Sequence, residues 1–339
     1  MASLPAPHDI AADARWLTQA FDPQAALVRL IEMDRAAYRD ASFLDDRMMQ
    51  RPLNAHVRPW VEVASAIPNS ARRDARWIFH IGHVGSTLVA RLLGELDTTL
   101  SVREPRLLRD LTAVEPGARA AMIAPVQRLM SRTFAAQQTA LVKATSFVSE
   151  LAAELVPPGE RALFLFATPR AYIEGILAGE NSRKELHILA PVRAQRMRER
   201  VPDLSDGQST DAHMAAAAWA CEMTGIEAAA EQMADRALHW VDFDRMLDDM
   251  QSALGELCRF FGFDAGEDRL RDIVSGPLMR RYSKALEYDY SPALRRELLA
   301  EARRDHGSQI DSAVAMLKEA SERSPLLKRA LSRSDLEKA

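Results

Sequence analysis

One stretch constrains this chain more than any other: Trp77-Ile78-Phe79-His80-Ile81-Gly82-His83-Val84-Gly85-Ser86-Thr87-Leu88-Val89-Ala90-Arg91-Leu92-Leu93. A β-prone apolar run feeds a glycine-bearing turn, and the turn opens directly into a helix carrying Leu88, Val89, Leu92 and Leu93 at helical spacing. Gly82 and Gly85 permit unusual backbone angles and close backbone approach. The amides of residues 83 to 87 can therefore converge on an anion at the positive end of the helix, where Ser86 and Thr87 add hydroxyl donors. The stretch reads as a strand–loop–helix cradle for phosphate or a like anion.

The nucleoside-triphosphate form of such a loop, GxxxxGK[ST], sets a lysine beside the hydroxyl residue. Here Ser86 follows Gly85 at once, which argues against an ordinary ATPase or GTPase. The anion site must also be local, because the chain of 339 residues carries a net charge of −4 with a pI near 6.1. That balance disfavours a nucleic-acid binder. Two cysteines, Cys221 and Cys258, lie far apart within helical patterns and read as buried, reduced thiols rather than a disulfide or metal framework. Reduced thiols suit a cytoplasm. The first thirty residues hold no apolar leader-like core, and no stretch approaches eighteen uninterrupted apolar residues, so neither export nor membrane spanning is expected.

Along the chain, residues 9–50 place Ile10, Ala14, Leu17, Phe21, Ala26, Leu27, Leu30, Ile31, Met33 and Tyr38 mostly three and four apart, which predicts two or more amphipathic helices. Residues 51–74 form a proline-punctuated connector with a short helix near Val61–Ala66. Residues 1–74 are thus expected to be a helical N-terminal extension. Beyond the loop, strands are predicted at Leu100–Pro105, Thr139–Lys143, Arg161–Thr168 and Leu238–Phe243, alternating with helices. Strand–helix alternation implies right-handed crossovers and a central parallel sheet flanked by helices, an α/β fold. Ligands gather at the carboxyl ends of strands in such sheets, and His83, Glu104, Lys143 and Arg170 all fall there. Residues 179–236 are expected to form a helical insertion or lid, and residues 291–339 a helical C-terminal tail after an α/β domain spanning 75–290.

Taken together, the loop and its helix, Arg103-Glu104-Pro105, Lys143, Pro169-Arg170, the Phe260-Phe261-Gly262 helix end and the late Tyr282-Ser283-Lys284 make the chain resemble a sulfotransferase, over roughly residues 75–290. The pattern is most similar to the bacterial sulfotransferase-like and tyrosylprotein-sulfotransferase branch. The family's loop carries Lys or Arg, a variable residue, Gly and two Ser/Thr, and His83 stands at the Lys/Arg position.

The resemblance implies a transfer of sulfonate from 3′-phosphoadenosine 5′-phosphosulfate to a hydroxyl or amine, with no metal. Gly82, His83, Val84, Gly85, Ser86 and Thr87 would hold the 5′-phosphate. Glu104 would take the acceptor proton, Lys143 would stabilise the transferring sulfonate, and His83 would supply positive charge at the bridging oxygen. Ser283 and Lys284 would contact the phosphosulfate. At the family's 3′-phosphate positions stand Ala167 and Gly175, so Arg170, Ser182, Arg183, Arg280, Arg281 or Lys284 would have to substitute. Two alternatives stay open: a non-catalytic nucleotide- or anion-binding protein on the same scaffold, and another group-transfer enzyme such as a small-molecule kinase. The acceptor, whether peptide, carbohydrate, lipid or small metabolite, and the oligomeric state are not readable.

Overall fold

A computed structural model describes residues 6–50, 52–204, 209–281 and 291–336. After a short helix at Pro7–Ala12 the N-terminal part is built on strands rather than on the expected amphipathic helices. Strands β1 (Trp16–Asp22), β2 (Leu27–Glu32) and β3 (Ala55–Pro59) form an antiparallel sheet in the order β1–β2–β3, beside only short helices at Pro7–Ala12 and Arg35–Asp40. The helical reading failed because β1 is covered on both faces: Trp16 through Phe21, with Thr18 and Gln19 among them, are all buried. A strand buried on both faces loses the alternation that marks a strand in sequence. The turn between β1 and β2 is held by Asp22, whose Oδ1 accepts from the amides of Gln24 and Ala25 at 2.9 and 3.1 Å. Helix Trp60–Ala66 lies where a short helix was expected.

The core of the molecule is a second sheet. Its strands are β4 (Arg76–His80), β5 (Thr99–Arg103), β6 (Thr139–Lys143), β7 (Arg161–Phe166) and β8 (Ala237–Asp242), all parallel in the order β5–β6–β4–β7–β8. Every strand predicted after residue 75 is present. Trp77, Ile78 and Phe79 in the central strand are fully buried, as are Leu163 to Phe166 of β7. From β4 the chain passes to β5 and β6 on one side and then crosses to β7 and β8 on the other, so a switch point lies above β4. Lys143 is in register with both Ile78 and Arg103. This register sets Lys143, Glu104 and the end of β4 side by side over the crevice.

Helices cover the sheet. Asp211–Glu231 is buried through most of its length, and Trp219 Nε1 donates to the carbonyl of Ala167 at 2.9 Å. Helix Glu180–Met197 packs on it through Leu186, Arg193 and Met197. Met250–Phe261 ends at Gly262, whose φ of +76° forms the left-handed cap foreseen from its glycine. The C-terminal helices Pro292–Ser321 and Pro325–Leu336 pack on the body, tied by Arg303 to the buried Glu174 at 2.8 and 2.9 Å and by Arg333 to Glu227 at 2.6 and 3.1 Å. Among the described residues no helix is long and apolar enough to cross a membrane.

Candidate active site

The loop after β4 has the backbone its glycines announced. Gly82 and Gly85 have φ of +82° and +62°, and His83 between them also adopts +55°. Gly85 is obligatory for space as well, because a Cβ there would fall 1.9 Å from Cζ of Phe243. Phe243 follows β8 directly, so the far strand of the sheet braces the loop. Helix Ser86–Leu93 begins immediately after Gly85 and is buried throughout. Its first-turn amides have no acceptor within the helix and face the crevice, the arrangement that binds anions.

Beside this cradle three elements converge on Glu104. Its backbone is held in the left-handed region, φ +53°, and its amide donates to the carbonyl of Lys143 at 2.7 Å. A non-glycine residue in that region is strained and persists only where its surroundings fix it. Lys143, only 1% exposed, donates from Nζ to Oε1 of Glu104 and to Oγ1 of Thr87, the latter at 3.1 Å. Arg47 donates from Nη2 to Oε2 of Glu104 at 3.1 Å. His80 accepts at Nδ1 from the amide of Gly82 at 2.9 Å. A neutral imidazole so bonded carries its proton on Nε2, which lies 3.8 Å from Oε1 of Glu104.

These groups open on one cavity of about 280 Å³, bounded by the loop, Glu104, Lys143 and His80 at one end. Gly175, Ala178, Gly179 and Ser182 form another wall, and Leu294, Arg295, Leu298 and Leu299 of the C-terminal helix a third. Arg295 is held by Asp244 at 2.7 Å, its guanidinium 5.3 Å from the ring of Phe243.

Most of the residues expected from sequence meet here. His83, Val84, Gly85, Ser86, Thr87, Glu104, Lys143 and Ser182 all line the cavity, and Gly82 turns the loop beside them. His83 sits between Ser182 Oγ, 3.3 Å from Nδ1, and Glu185, 3.6 Å from Nε2, with Tyr172 edge-on at 6.3 Å. Burial raises the Tyr172 phenol well above its ordinary value, so it stays protonated. Arg170 is placed elsewhere: it is half-exposed and pairs with Asp311. Ser283 and Lys284 lie outside the described residues. Ala167 is fully buried, while Gly175 faces Leu299.

Sequence reasoning missed His80, Phe43, Arg47, Phe243 and Arg295. Phe243 was within reach, since it stands at the carboxyl end of a predicted strand. Arg47 and Arg295 carried no such signal, because each reaches the site only through tertiary packing, Arg47 from 57 positions before Glu104.

No family model and no curated protein matches the chain. Among solved structures, it is similar to the sulfotransferase domain from the curacin biosynthetic pathway at 14% identity, with 74% of this chain and 99% of that one covered and a TM-score of 0.42. It is also similar to the sulfotransferase domain of the Synechococcus PCC 7002 olefin synthase, at 16% identity, 66% and 86% coverage and a TM-score of 0.40. A mouse sulfotransferase, SULT7A1 complexed with PAP, shows 11% identity, 77% and 89% coverage and a TM-score of 0.39. The similar chains are sulfotransferases or sulfotransferase domains, and the present chain carries its own five-stranded parallel sheet with the glycine-bearing loop after its central strand.

Proposed function

We propose that the chain is a sulfotransferase that moves a sulfuryl group from 3′-phosphoadenosine 5′-phosphosulfate to a hydroxyl or amine acceptor. One observation carries the reading. Thr87 on the loop, Lys143 after it and Glu104 beyond form a continuous hydrogen-bonded chain along the wall of a single cavity. Sulfuryl transfer needs an anion seat, a cation where charge develops and a group to take the acceptor proton. The loop amides with Ser86 and Thr87 provide the seat. Lys143 provides the cation and Glu104 the proton acceptor.

In the reaction, the acceptor's lone pair forms a bond to sulfur while the bond from sulfur to the bridging oxygen breaks, and that electron pair leaves with the 5′-phosphate. Lys143 turns toward the oxygen gaining charge. Its departure frees Oε1 of Glu104 for the acceptor proton. His80 Nε2 lies 3.8 Å from the same carboxylate. His83 bounds the cavity on the side of helix Glu180–Met197. Arg295, the arginine among the cavity-lining residues, is assigned to the 3′-phosphate in place of the family arginine whose position Ala167 occupies.

Calorimetry with 3′-phosphoadenosine 5′-phosphate, 5′-AMP and Mg-ATP tests this. The bisphosphate is expected to bind at least about tenfold more tightly than 5′-AMP, some 1.4 kcal/mol, and Arg295→Gln should erase the difference. Equal affinities for the two nucleotides in the wild type would overturn the donor assignment. A second reading, an anion-binding protein without turnover, is favoured by the fact that both carboxylate oxygens of Glu104 already hold cations. A sulfated product from the purified protein eliminates it.

A further inference from the structure

The N-terminal sheet region reaches into the site at a place that no sequence motif marks. The segment after helix Arg35–Asp40 docks against the end of β5: the amide of Leu44 donates to the carbonyl of Arg103 at 2.7 Å, and Gln19 Nε2 of β1 donates to the carbonyl of Leu44 at 3.2 Å. The docking leaves Phe43 buried beneath two cations. The Arg47 guanidinium carbon lies 3.2 Å from the centroid of its ring, and Lys143 Nζ lies 5.5 Å from it. The same two cations hold the two oxygens of Glu104, Lys143 at Oε1 and Arg47 at Oε2. Asp45 holds the fork of Arg47, accepting from Nε at 2.8 and 3.0 Å and from Nη2 at 2.5 Å, so the Nη2 that reaches Glu104 is shared between the two carboxylates.

From this geometry we infer that Arg47 is a positioning residue of the site, the group that keeps Glu104 divided between two cations. The inference rests on the roles proposed above for Glu104 and Lys143. An ammonium and a carboxylate in a buried setting attract strongly. With no competing cation, Glu104 would turn both oxygens onto Lys143 and draw Nζ away from Thr87. Arg47 opposes this by claiming Oε2 with Nη2 of a planar guanidinium that Asp45 and the Phe43 ring hold in place. Lys143 is thereby left bridging Thr87 and Glu104, where it can serve the anion seat. Arg47 is itself half-exposed, so its side chain can be removed without opening the core.

The test compares crystal structures of the wild type and the Arg47→Ala variant. Expected is a Glu104 carboxylate with both oxygens on Lys143 and a Lys143 Nζ beyond hydrogen-bond distance of Thr87 Oγ1. Superimposable Glu104 and Lys143 side chains in the two structures would overturn the inference, whatever reaction the protein catalyses. Release of inorganic sulfate from radiolabelled phosphosulfate donor, with water as the sulfuryl acceptor, is then followed in wild type, Arg47→Ala and Arg47→Lys. Arg47→Ala should lower kcat at least about tenfold while changing the KM for the donor less than about threefold, and Arg47→Lys should recover part of kcat. An unchanged kcat in Arg47→Ala would also overturn it. Absence of cleavage in the wild type would refute the sulfotransferase reading instead, and the paired structures would still decide the role of Arg47.

Discussion

Glu104 gathers more around one carboxylate than any other cavity residue described, with a left-handed backbone, a buried lysine and an arginine on its oxygens and His80 Nε2 3.8 Å away. Glu104→Gln keeps the shape and removes the proton acceptor, while Lys143→Ala removes the cation beside Thr87. Each should reduce product formation by at least about a hundredfold, the usual contribution of a positioned acid–base or charge-stabilising group, with Glu104→Gln leaving affinity for the product nucleotide within a few-fold. Retained turnover in both variants would remove these two residues from the mechanism. Gly85 offers a separate check on the loop. Gly85→Ala adds a Cβ 1.9 Å from Phe243 at a φ of +62°, and the left-handed strain and overpacking should together cost about 2–4 kcal/mol. Thermal melting of Gly85→Ala against Gly85→Ala/Phe243→Ala resolves the steric part, since only the double variant has room for the methyl group.

Elements meet the site through their ends, and the C-terminal helix Pro292–Ser321 does so while anchored some distance along its length. Leu294, Arg295, Leu298 and Leu299 line the cavity, and Arg303 holds the fully buried carboxylate of Glu174 on helix Pro169–Leu177. Removing one partner of such a pair strands a buried charge, although exposure of Arg303 weakens the effect. Arg303→Ala is expected to cost about 1–3 kcal/mol in urea unfolding, and adding Glu174→Leu should return part of that loss by deleting the stranded charge. A double variant less stable than the single one would show that the pair acts through packing alone. The same tie explains why the helix that carries Arg295 keeps its register against the cavity.

Across the molecule the two thiols report how closed the core is. Burial pushes Cys221 up to about 12 and Cys258 up to about 11, from an ordinary value of 9.0. Each acid is therefore raised in the folded state above its unfolded value. The stability gained by keeping both protonated is complete below pH 9 and is lost as pH rises through about 11 to 12. Urea midpoints should fall between pH 8.5 and about 10.5. At pH 8 a disulfide-exchange reagent should label both cysteines at least about a hundredfold faster in urea than in buffer, because only the thiolate reacts. Fast native labelling of either thiol would show that its part of the core opens.

The strand–loop–helix unit, the later strands and Gly262 were all legible in the chain, because runs buried on both faces, glycine conformations and helix caps are written in consecutive residues. Glu104 and Lys143 were legible for a related reason: each stands at the end of its strand, and a parallel sheet presents those ends on one edge. The N-terminal sheet was not, since Thr18 and Gln19 interrupt the apolar run of β1 and the apolar spacings of residues 9–50 imitate a helix. Nor were Arg47, Phe43 and Arg295, which come beside Glu104 and the cavity only because the segment around Leu44 docks on the end of β5 and the helix Pro292–Ser321 lies along the cavity. Local sequence dictates backbone conformation and burial. Which distant charge completes a carboxylate's surroundings is decided by packing between elements, and no residue on the chain near Glu104 encodes it.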